Sequence, residues 1–119
     1  MKHRSDRIRL VYASDRILSR FGEFDAVFCL SVLRSSERRR LAGRYPFERF
    51  EERVLFLESL VRPGGLLVIH NSTYRFSDTT RRIAYEAIPV SARHDEGVFL
   101  PDGLTEVEPD CCLFRKRET

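Results

Sequence analysis

The sequence predicts an α/β fold: a three-layer sandwich around a mostly parallel sheet, closing with a C-terminal antiparallel strand pair. Three observations carry that prediction. The run DAVFCL at 25–30 is nearly all apolar, which suits a strand covered on both faces. The run LLVIH at 66–70 is a second strand of the same kind. Between them, Phe47, Phe50, Val54, Leu57 and Val61 recur at spacings of 3, 4, 3 and 4, which lines one face of a helix over 47–61. Strand, helix and strand with a tight final turn make a right-handed βαβ unit.

The remaining elements follow in chain order. The run IRLVYA at 8–13 reads as a strand closed by Ser14 and Asp15. Residues 15–20 carry Ile17 and Leu18 and have the length of one or two helical turns, which Gly22 ends. An arginine-rich stretch at 35–43 reads as a short exposed helix, and Pro46 separates it from the long one. Pro63, Gly64 and Gly65 stop the long helix and turn the chain. Ile83, Ala84 and Ala87 predict a helix over 79–88, capped by Ser77 or Asp78 and ended by Pro89. Short strands at 98–100 and 112–115 form the terminal antiparallel pair, with Pro101, Asp102 and Gly103 as turn chemistry between them.

At 119 residues the chain has the length of one domain. A hydrophobic share of 42% excludes a disordered class, and no apolar run is long enough to span a bilayer. The charged start lacks an apolar signal region, so the expected location is cytoplasmic, with no membrane partner. The net charge of +3 is carried almost wholly by arginine, since lysine occurs only at Lys2 and Lys116. Arg34, Arg38, Arg39, Arg40 and Arg44 form the densest basic cluster, read either as a solvated helix face or as a contact for an anionic partner such as RNA. Cys29, Cys111 and Cys112 make no disulfide framework, and the histidines are too scattered for a zinc pattern, so no metal is expected.

Four stretches carry a resemblance. They are VYASD at 11–15, FDAVFCLSVL at 24–33, LVRPGGLLVI at 60–69 and CLFRKR at 112–117. In this order they resemble the second half of a class I S-adenosylmethionine-dependent methyltransferase, matching its third, fourth, fifth and last strands. The resemblance implies a partial Rossmann-like fold and a single methyltransferase-like domain over 1–119 that is truncated at its N-terminus. The family's glycine-rich loop is missing, and no Gly-x-Gly occurs in the chain. It implies S-adenosylmethionine as cofactor, bound poorly without that loop, and methyltransferase activity only with the missing half supplied. The implied partners are a methyl acceptor, small or macromolecular, and either a second copy of the chain or a complementing N-terminal half. The alternative from another class is a non-catalytic module that binds protein or RNA on the same fold remnant.

The resemblance places Asp15 against the adenine amine, although the same residue also suits a helix cap. It places Leu30 and Ser31 beside the methionine part of the cofactor. Methyl transfer needs mainly in-line positioning of an activated sulfonium, so no acid or base is compulsory. His70, Asn71 and Ser72 end the second apolar strand, at the edge where open α/β sheets bind ligands. His70 is the candidate general base, or else a polar strand-end residue. Tyr74 is the other catalytic candidate, and with Arg75 it would border a substrate pocket. The family's strand order, 3-2-1-4-5-7-6, leaves the 25–30 strand at an open edge. That edge is expected to be filled by the 8–13 strand or by another chain.

Overall fold

The computed structural model describes residues 15–21, 23–30, 33, 45–90, 97–109 and 111–118. The strand expected at 8–13 and the helix expected at 35–43 lie outside them. A single helical turn, α1 (Asp15–Leu18), runs into a 3₁₀ turn at Ser19–Phe21. Then come β1 (Phe24–Leu30), α2 (Phe47–Ser59) and β2 (Val61–His70). Two 3₁₀ turns, Phe76–Asp78 and Arg82–Ala84, lead into β3 (Tyr85–Ala87). The short strands β4 (Val98–Phe99) and β5 (Glu106–Val107) precede β6 (Leu113–Lys116).

The main sheet has the order β1-β2-β6-β3. β1 and β2 are parallel neighbours, from Ala26 opposite Leu66 to Leu30 opposite His70. This is the pairing that the two apolar runs predict. β6 lies antiparallel to both β2 and β3, so β3 points the same way as β2. The sheet is therefore mixed rather than mostly parallel as expected: one of its three pairings is parallel, and among the described residues β6 is its one reversed strand. The last strand of the chain is wedged between the second and the third.

Pleating sorts the side chains. Val27, Cys29, Leu67, Ile69, Phe114 and Tyr85 face the core, where Phe47, Phe50 and Val54 of α2 cover them. Ala26, Phe28, Leu30, Leu66, Val68 and Leu113 take the opposite face. Phe28 keeps 64% and Leu30 54% of its surface exposed. Among the described residues a helix covers only one face of the sheet. Of the three expected layers, two are present there.

Three expectations are corrected. First, the long helix ends at Ser59, and Pro63, Gly64 and Gly65 lie inside β2 rather than in a turn before it. They form an irregular bulge: Phe24 and Ala26 of β1 face Val61 and Leu66 of β2, five residues apart. Gly64 takes φ +82° there. A Cβ at Gly65 would stand 2.8 Å from the Asp25 carbonyl oxygen and 2.9 Å from that of Arg62, so only glycine lets the two strands approach.

Second, the helix expected over 79–88 is one 3₁₀ turn followed by β3. Tertiary pairing outcompetes a weak local preference here. Arg117 N–H donates to the Ala84 carbonyl and Ile88 N–H to that of Leu113, so β6 claims the backbone on both sides of Tyr85. Third, the 98–100 strand does not pair with 112–115. β4 instead closes a hairpin with β5 through the Pro101–Gly103 turn, where Asp102 accepts the N–H groups of Leu104 and Thr105.

Phe50 is fully buried between α2 and the sheet. Phe50→Ala should lower the unfolding free energy by about 3–5 kcal/mol, read from urea denaturation. Gly65→Ala should also destabilise, because the clash is with backbone rather than with a flexible side chain.

Candidate functional site

Parallel pairing brings the carboxyl ends of β1 and β2 side by side, with Leu30 opposite His70 as the last register pair. Open α/β sheets bind ligands at this edge. His70 is half-buried, and it shares the uncovered face with Leu30 and Phe28. Asn71 follows at φ +58°, a left-handed position that asparagine tolerates better than most residues. It bends the chain off the sheet edge.

Behind that bend the two loops are tied together. The Leu33 carbonyl accepts both Thr73 N–H at 3.0 Å and the Tyr45 hydroxyl at 2.6 Å. The Ser72 hydroxyl donates to the Tyr74 carbonyl, and Phe99 N–H to the Thr73 carbonyl. Tyr74 is buried, its ring edge-on to Tyr45 and Phe47 and its hydroxyl donated to the Tyr45 carbonyl. That geometry makes Tyr74 part of the frame beneath the edge. Arg75 forms a two-pronged ion pair with Asp78, at 2.9 and 3.0 Å, beside the same frame.

Of the expected site residues, the cofactor candidate Leu30 and the catalytic candidate His70 are brought together. Asp15 is placed as the first residue of α1, by its backbone alone. Ser31 lies outside the described residues. Among the described residues no cluster of histidine, cysteine, aspartate or glutamate is arranged to hold a metal ion. No described helix is long and apolar enough to cross a membrane.

A second polar assembly lies under the sheet, and the sequence reading missed it. Glu58, on the buried face of α2, keeps only 5% exposure. The Tyr85 hydroxyl donates to its Oε1 at 3.0 Å, and Lys116 Nζ lies 3.6 Å from the same oxygen. Arg81 Nε stands 3.1 Å from Oε2 as an ion pair, although it makes no hydrogen bond. Lys116 also donates to the carbonyls of Glu58 and Val61, at 3.1 and 2.9 Å. One signal was available: Glu58 stands four residues after Val54, on the same helix face. Burial, then the Glu58 charge and its hydrogen bond, push the Tyr85 phenol well above the usual tyrosine range.

Two of the thiols are also shifted. Burial raises Cys29 to about 11, with nearby Arg53 opposing the effect. Burial likewise raises Cys112. Neither thiol carries the depressed pKa of an activated nucleophile.

No family model, curated protein or solved structure matches the chain.

Glu58→Ala should destabilise by about 3–5 kcal/mol, because it strands Lys116 and Tyr85 in the interior. Replacing Glu58 and Lys116 together with apolar residues should cost less. Tyr85 also sets a pH dependence. Its folded pKa lies above the unfolded value of about 10, so the folded state holds this proton more tightly. Its contribution to stability is complete below pH ~10 and is lost as pH rises beyond that. Urea midpoints measured on either side of pH ~10 should fall in the wild type, with a flatter profile in Tyr85→Phe.

Proposed function

We propose that this chain is a class I S-adenosylmethionine-dependent methyltransferase-like protein that carries the second half of the domain, from the third strand onward. The observation that supports the reading is the strand order. β1 and β2 are the segments that resemble the family's fourth and fifth strands. β6, the last strand, lies next to β2 with β3 outside it. The sequence 4-5-7-6 from the family order describes that arrangement, with the last strand inserted before the penultimate one. The same reading puts Leu30, His70 and Asn71 at the cofactor edge. His70 is its best-placed base, while Tyr74 acts by holding the loops.

Without a glycine-rich loop to wrap the carboxypropyl group, the chain alone should bind S-adenosylmethionine or S-adenosylhomocysteine no tighter than the millimolar range. Two-dimensional amide NMR with S-adenosylhomocysteine tests this. Weak shifts confined to Leu30, His70, Asn71 and their neighbours are expected. Tight binding should appear once a complementing N-terminal half is added. Shifts confined to another part of the sheet, or none with the second half present, would remove the reading.

The second reading is a non-catalytic interaction module, and the exposure of Phe28 and Leu30 on the uncovered sheet face favours it. Under that reading Phe28→Ser with Leu30→Ser abolishes partner binding and leaves the unfolding midpoint nearly unchanged. Cofactor shifts are absent in both proteins.

A further inference from the structure

We draw no further inference here: the strongest candidate, the sheet face along β1 that no helix covers among the described residues, where Phe28 and Leu30 stand exposed, carries nothing because nothing in the structure shows what covers it.

Discussion

The buried carboxylate of Glu58 is the constraint that most of the fold answers to. A lone charge with 5% exposure would be costly in a protein interior. It is tolerated because Tyr85, Lys116 and Arg81 converge on it from β3, β6 and the 3₁₀ turn that precedes β3. These partners come from the three-residue strand and the four-residue strand that complete the sheet. Elements so short have little stability of their own. The polar cluster fixes which strand follows β2 and in what register, because Lys116 must reach the end of α2 while Phe114 packs beneath Leu67. The aromatic contacts of Phe76 with Tyr85 and Phe114 fill the space around it.

The sheet that results is unlike at its two ends. At the carboxyl end of the parallel pair, hydrogen bonds among Leu33, Tyr45, Ser72, Thr73 and Tyr74 hold the loops in a buried frame. The edge above that frame carries Leu30 and His70. At the other end, the glycine bulge lets β2 cross close to β1 and leaves a charged groove beside β6. Both ends depend on β2. Among the described residues it is the longest strand and the one member of the sheet with a parallel neighbour on one side and an antiparallel one on the other.

Exposure is just as uneven. The core face of the sheet is filled by Phe50, Val54 and the aromatic rings, while the other face presents Phe28 and Leu30 to solvent. On β1 this alternation separates neighbours in sequence: Cys29 is buried between two exposed apolar residues. An apolar run reads as covered on both faces, but the run itself does not say whether a second layer is there to cover it.

The sequence alone determined the βαβ unit. Its two apolar runs and its helix repeat are local patterns, and burial of one helix stripe against one sheet face follows from them by geometry. It also placed the turn at Pro101–Gly103 and the edge that carries Leu30 and His70. Only the tertiary structure decided the rest. Residues 79–88 have a helix-like pattern too short to outweigh backbone pairing with β6, so they become a turn and a strand. Pro63, Gly64 and Gly65 read as a stop signal, yet contact with the Asp25 backbone makes them a bulge inside a strand. Glu58 and Lys116 stand 58 positions apart. Their pairing leaves no local trace because a buried charge is recognisable only once the partners that satisfy it have been brought to it by the fold.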